Sequence, residues 1–166
     1  MTEPDTRLAG VCKALNQAGA RYVLVGAAAM QLWGSTRATR DIDILIERTV
    51  ENAKRVLSAL ERCGVLLAGE WLAEEVAAKP VTIIGDVPRV DIMTVAWSVH
   101  YPEAIRDAAV FEIEGVRIPT VSIDHLIASK RTGRLQDAAD IEMLQTIKRL
   151  REEGEGEGWG RRGLPD

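Results

Sequence analysis

Asp41 and Asp43 are the residues whose type and spacing most directly promise chemistry. They stand in Asp41-Ile42-Asp43-Ile44-Leu45-Ile46, where acid and apolar residues alternate before the run turns fully apolar, as in a strand with one solvated end. Side chains two apart on a strand leave the same face with Cα atoms roughly 7 Å apart, so both carboxylates can turn toward one cation. Hard divalent ions such as Mg2+ or Mn2+ take carboxylate oxygen, commonly from one or two protein groups, with phosphate or water completing the shell. Asp91, near the start of a later apolar run, is the candidate third acid if that strand lies beside the first. Taken alone, the pair also fits two solvated surface acids.

The neighbourhood narrows the choice. Gly26 closes the apolar run Tyr22-Val23-Leu24-Val25, an alanine-rich helix is expected from Ala27 to Gly34, and Arg37 and Arg40 come just before the acids. Backbone N–H groups at a helix start and guanidinium forks both suit phosphate oxygens, so a metal pair beside them points to a nucleotide. Arg40 could equally neutralise Asp41 or Asp43, and Arg37 could be a solvated loop residue.

The elements that must position these groups follow from periodicity. Helices are predicted over 6–17, with Leu8, Val11, Cys12 and Leu15 on one stripe, and over 50–62, capped by Thr49 and stopped at Cys63-Gly64. Strands are predicted at 81–84 and 90–95, joined by Gly85 to Arg89, and a second hairpin at 110–113 and 116–118. Further helices are expected at 101–109, at 123–130 behind the cap Ser122, and from Asp137 to Arg151, with a basic loop at 131–136. The stretch from Trp71 fits either a helix or irregular chain. The fold class expected is α/β (α+β), a small mixed β-sheet flanked by helices with a short helical C-terminal end. One domain is expected over 1–151, and the Gly-rich, charged 152–166 reads as a tail too polar to offset its ordering entropy.

Composition sets limits. A chain of 166 residues with 46% hydrophobic and 28% charged residues is an ordinary globular domain, not a disulfide scaffold or a repeat. A net charge of −4 argues against bulk electrostatic binding of nucleic acid. No 18-residue apolar run occurs, so no membrane span is expected and a cytoplasmic protein is the default. Cys12 and Cys63 lack metal-ligand spacing and read as core residues. His100 and His125 read as structural or surface groups. Trp33, Trp71 and Trp97 sit in apolar patterns and read as core, with base stacking as the other use. Trp159 reads as an exposed tail residue.

Val25-Gly26-Ala27, thirteen intervening residues and Asp41-Ile42-Asp43 together resemble the signature of the nucleotidyltransferase superfamily, the fold of DNA polymerase β. Arg37 to Ile44, and the stretch from Asp124 to Lys130 followed by Arg134 to Ile141, most resemble the AbiE-type toxin nucleotidyltransferases. The likeness spans about residues 20 to 145. It implies that Asp41, Asp43 and Asp91 hold two Mg2+ ions, that Asp91 can deprotonate an acceptor hydroxyl, and that Gly26, Ala27, Arg37, Arg40 and Lys130 bind the nucleoside triphosphate. Asp137 or Asp140 would orient the lysine or a base. Ala27 replaces the Gly or Ser of the signature, which removes one phosphate-holding feature. The acceptor implied is a hydroxyl of tRNA or protein, with an antitoxin or helical protein as a partner in a toxin–antitoxin pair. The other reading is a catalytically weak module that binds nucleotide or a protein. As ordinary helix residues, Lys130 would be a C-terminal cation and Asp137 an N-cap.

Overall fold

The alternating run that carries the acids becomes an inner strand of a mixed sheet. In the computed structural model, which describes residues 6–36 and 38–156, the chain runs α1 (Thr6–Gln17), β1 (Tyr22–Val25), α2 (Gly26–Trp33), β2 (Ile42–Ile46) and α3 (Val50–Arg62). A 3-10 turn (Leu66–Glu70) then leads into α4 (Ala73–Ala78), β3 (Val81–Ile84), β4 (Val90–Met93) and α5 (Tyr101–Arg106). The chain continues through β5 (Ala109–Ile113), β6 (Val116–Thr120), α6 (Ile123–Ser129) and α7 (Leu135–Gly156). The strand order is β3-β4-β2-β1-β6-β5. Strand β2 runs antiparallel to β1 and parallel to β4, and both outer hairpins are antiparallel. The expected mixed sheet with flanking helices is therefore the observed architecture.

Register matters more than order. Val25 pairs with Asp43, Asp43 with Asp91, and Asp91 with Ile83, so one row crosses four strands and carries two acids at its centre. Paired residues share a face, and neighbouring strands lie about 4.8 Å apart, which places the two carboxylates side by side although 48 positions separate them. Ile42, Ile44 and Ile46 alternate to the opposite face and are buried with Leu8, Leu15, Val56 and Leu60 in the main core.

Local signals explain the ends. The Thr49 hydroxyl accepts the Asn52 N–H at 3.1 Å and starts α3 as expected. Asn52, only 3% exposed, donates to the carbonyls of Arg21 (3.0 Å) and Glu47 (2.9 Å) and accepts the Arg21 N–H (2.8 Å), tying the entry to β1 and the exit of β2 to α3. Strand β4 stops at Met93, two residues short of expectation, because Thr94 turns to bond the Pro80 and Lys79 carbonyls (2.9 and 2.7 Å). Helix α5 likewise stops at Arg106.

Helix α7 corrects the sequence reading at both ends. It starts at Leu135, so Asp137 is its third residue and not an N-cap, and it continues to Gly156, five residues past the expected stop at 151. Trp159 and the rest of the supposed tail lie outside the described residues. Arg151 of α7 donates to the Trp33 carbonyl at 3.1 and 3.3 Å and sits over the Trp33 ring, 5.0 Å from its centre, closing the C-terminal end of α2. Cys12 is fully buried, but Cys63 is exposed at the end of α3, so only one cysteine is a core residue. Among the described residues no helix is long and apolar enough to cross a membrane.

Candidate active site

Gly26 and Asp43 meet at a distance that leaves no room for a side chain on residue 26. Gly26 adopts φ +68°, and a Cβ built on it would lie 2.0 Å from Asp43 Oδ2. Only a residue without a side chain lets the start of α2 cross over this carboxylate. Burial, then the charges of Asp91 and Asp41, pushes the Asp43 carboxyl up to about 7, against the pull of Lys130 and Arg89. Asp41 lies just before β2 and is exposed.

Asp91 is 9% exposed and is held by a residue the sequence analysis passed over. Arg89 donates from Nε to one carboxylate oxygen (2.9 Å) and from Nη2 to the other (3.1 Å). The signal was present, since residues two apart on a strand share a face and Arg matches carboxylate bidentately. Among the described residues no three His, Cys, Asp or Glu side chains form a ready cage for a metal ion. Asp41 and Asp43 nevertheless suit a hard cation: Asp43 is a carboxyl forced toward neutrality by burial and then by like charges, and Mg2+ characteristically takes few protein oxygens and completes its shell with water and phosphate. Arg89 takes one lone pair on each Asp91 oxygen, and the lone pairs that remain are those through which Asp91 could join.

Lys130, at the end of α6, approaches from the other side. Its Nζ lies 3.0 Å from Asp140 and 3.6 Å from Asp137, and both acids are 4% exposed. Burial alone would raise the Asp137 carboxyl, but hydrogen bonds from Thr132 and Arg134 and the charges of Lys130 and Arg134 hold it below the usual range. The acids on the first turns of α7 thus lie against the lysine, and Arg134 joins them by a 2.7 Å bond to Asp137.

Two hollows meet at these groups. One of about 260 Å3 is lined by Ala27, Thr39, Asp41, Asp43, Lys130, Arg134, Gln136 and Asp137. The other, about 430 Å3, shares Asp43, Lys130, Arg134 and Asp137, and runs past Gly26 to Pro80, Val81, Met93 and Trp97. The structure thus brings together Gly26, Ala27, Asp41, Asp43, Lys130 and Asp137, with Asp91 beside Asp43 in the sheet and Asp140 behind the lysine. It does not bring Arg40, which is exposed and lines neither hollow. Arg37 lies outside the described residues. Arg89, Arg134 and Trp97 are the additions, and Trp97 corrects the core reading because it is 63% exposed. Trp33 and Trp71 are half-buried against the core. His100 is exposed, and His125 lies 3.9 Å from Asp107, both away from the acids.

A Thermotoga maritima structure described as that of a candidate nucleotidyltransferase is 18% identical, with a TM-score of 0.49 over 89% of this chain and 91% of that one. No curated protein sequence matches. The family model described as Aminoglycoside-2''-adenylyltransferase matches residues 7–145, which takes in every described residue of the site. The chain belongs to this family of nucleotidyltransferases.

Proposed function

We propose that the protein is a divalent-metal-dependent nucleotidyltransferase that moves a nucleoside monophosphate from a nucleoside triphosphate to a hydroxyl of an acceptor. The observation that carries this reading is the in-register pair Asp43 and Asp91 on adjacent parallel strands, with the bare backbone of Gly26 and the ammonium of Lys130 facing the same hollow. Asp41 and Asp43 would hold the cation, and Asp91 could add an oxygen through the lone pairs that Arg89 leaves. When bound, Mg2+ or Mn2+ would supply charge neutralisation at the transferring phosphoryl group. Lys130, set by Asp137 and Asp140, binds the phosphate oxygens, with Arg134 beside it and the first N–H groups of α2 from Gly26 and Ala27 available to them. The acceptor oxygen bonds to the α-phosphorus as the bond to the bridging oxygen breaks; pyrophosphate leaves, and Asp91 takes the acceptor proton. The family's name adds an aminoglycoside hydroxyl to tRNA and protein as acceptor classes. The toxin setting, an antitoxin partner and a cytoplasmic location go with the AbiE-type sequence likeness.

Calorimetric titration of each ribonucleoside triphosphate, with and without Mg2+, tests the site. Metal-dependent binding lost in Asp43→Asn supports it; absence of binding at millimolar concentration sinks it. A second reading, a nucleotide-binding module of low catalytic power, is favoured by one observation: Arg89 occupies both oxygens of Asp91. Triphosphate binding without transfer to any offered hydroxyl would select it.

A further inference from the structure

Trp97 is placed where folding alone gives no reason for it. It is 63% exposed, and it occupies the first central position of the tight turn closed by the bonds from Ala96 N–H to Val99 O (2.8 Å) and from Val99 N–H to Ala96 O (3.0 Å). Its φ is +57°, a region where a bulky residue is strained and glycine is at ease. The other described tryptophans are engaged: Trp33 donates to the Val121 carbonyl (2.9 Å) and meets Phe111 edge to face, and Trp71 carries Lys79 over its ring. Trp97 instead walls the larger hollow, whose far end is apolar (Pro80, Val81, Met93) and whose near end holds Asp43, Lys130 and Arg134.

A nucleoside triphosphate has the same polarity, a charged tail and a flat ring. The smaller hollow, which shares the charged end and adds Asp41, has no aromatic wall and suits the tail. The ring must stay within one ribose of the α-phosphate at Asp43, and the larger hollow extends from that carboxylate. Asp91, toward which an acceptor hydroxyl must come, does not line it. We propose that Trp97 is the stacking platform for the nucleobase, and that its broad indole face makes purine triphosphates the preferred donors. This inference rests on the nucleotidyltransferase reading of the same site.

The test is Mg2+-dependent binding of ATP, CTP and inorganic tripolyphosphate to the parent protein and to Trp97→Ala, Trp97→Phe and Trp97→Gly, the last of which relieves the turn and guards against misfolding. Base stacking on an aromatic side chain is lost on truncation at a cost of about tenfold or more in affinity. The expected pattern is that loss for ATP in Trp97→Ala and Trp97→Gly, a smaller loss for CTP, none for tripolyphosphate, and near-parent ATP binding in Trp97→Phe. Unchanged ATP binding in Trp97→Ala, or an equal loss for tripolyphosphate, overturns the stacking role while leaving the active-site reading intact. Failure of the parent protein to bind any of the three overturns both.

Discussion

Replacing Gly26 by alanine tests the closest approach in the site. The backbone there has φ +68°, a left-handed conformation that costs a residue with a Cβ about 1 to 2 kcal/mol. The new methyl would also lie 2.0, 2.8 and 2.9 Å from Oδ2, Cγ and Cβ of Asp43; because Cβ is itself too near, rotating the carboxylate cannot clear the overlap. Forced overpacking of this kind typically costs a further ~1 to 3 kcal/mol. The expected loss is about 3 kcal/mol, or about 6 to 12 °C in Tm for a domain of this size. Urea unfolding of Gly26→Ala, in the parent and in an Asp43→Ala background, separates the two contributions. Asp43→Ala removes the contacts at 2.0 and 2.8 Å, so about half the cost should vanish there. A loss below about 0.5 kcal/mol in the parent, or the same loss in both backgrounds, would refute the crossing of α2 over this carboxylate.

Other perturbations have distinct signatures. Asp43→Asn should stabilise the metal-free protein at pH 8: the folded carboxyl titrates at about 7 against 3.8 unperturbed, so its ionisation works against folding as pH rises through that window. The gain, on the order of 4 kcal/mol, should nearly vanish by pH 4, and an equal gain in urea midpoint at both pH values would contradict it. Lys130→Met leaves two acids that are 4% exposed with less countercharge, and about 2 to 4 kcal/mol should be lost at pH 7. Because the folded Asp137 carboxyl lies below its usual range, its stabilisation holds above that range and fades as pH falls, so the deficit must shrink in acid. Trp97→Gly should keep stability within about 1 kcal/mol of the parent, relief of the left-handed strain offsetting glycine's entropy; a large drop in Tm would mean the indole is packed.

The strand Ile42–Ile46, its Asp-x-Asp and the Gly26 turn were legible because each is a local pattern: period two, a β-branched run, a glycine at a stop. The neighbourhood of Asp43 and Asp91 was expected only as one way two strands could lie, since parallel pairing across a long connection leaves no mark in either strand. Trp97 was misread because Ala96-Trp97-Ser98-Val99 contains none of the Gly, Asn or Asp that announce a turn, so an apolar residue looked like core. Helix α7 ran past its expected end because the Arg, Glu and Lys residues of its last turns are good helix formers and tolerate the intervening glycine. Arg134 does lie in the loop, as expected, but its reach three residues ahead to Asp137 appears only once the helix start is placed.

The contact between Arg151 and Trp33 makes the helices around the site a braced frame. Helix α2 begins over Asp43 and ends under Arg151; α7 carries Arg151 at one station and, about 16 to 21 Å back along its axis, the acids that grip Lys130. Lys130 faces the same carboxylate from which α2 departs. The circuit closes on itself, and a closed set of struts resists shear even when each joint is only a hydrogen bond or an ion pair. The two walls of the hollow that α2 and Lys130 supply are therefore held at a fixed span by a strut on the far side of the molecule. Freedom to admit and release a bulky ligand then falls to the wall outside the frame, the turn between Ala96 and Val99 that carries the exposed indole.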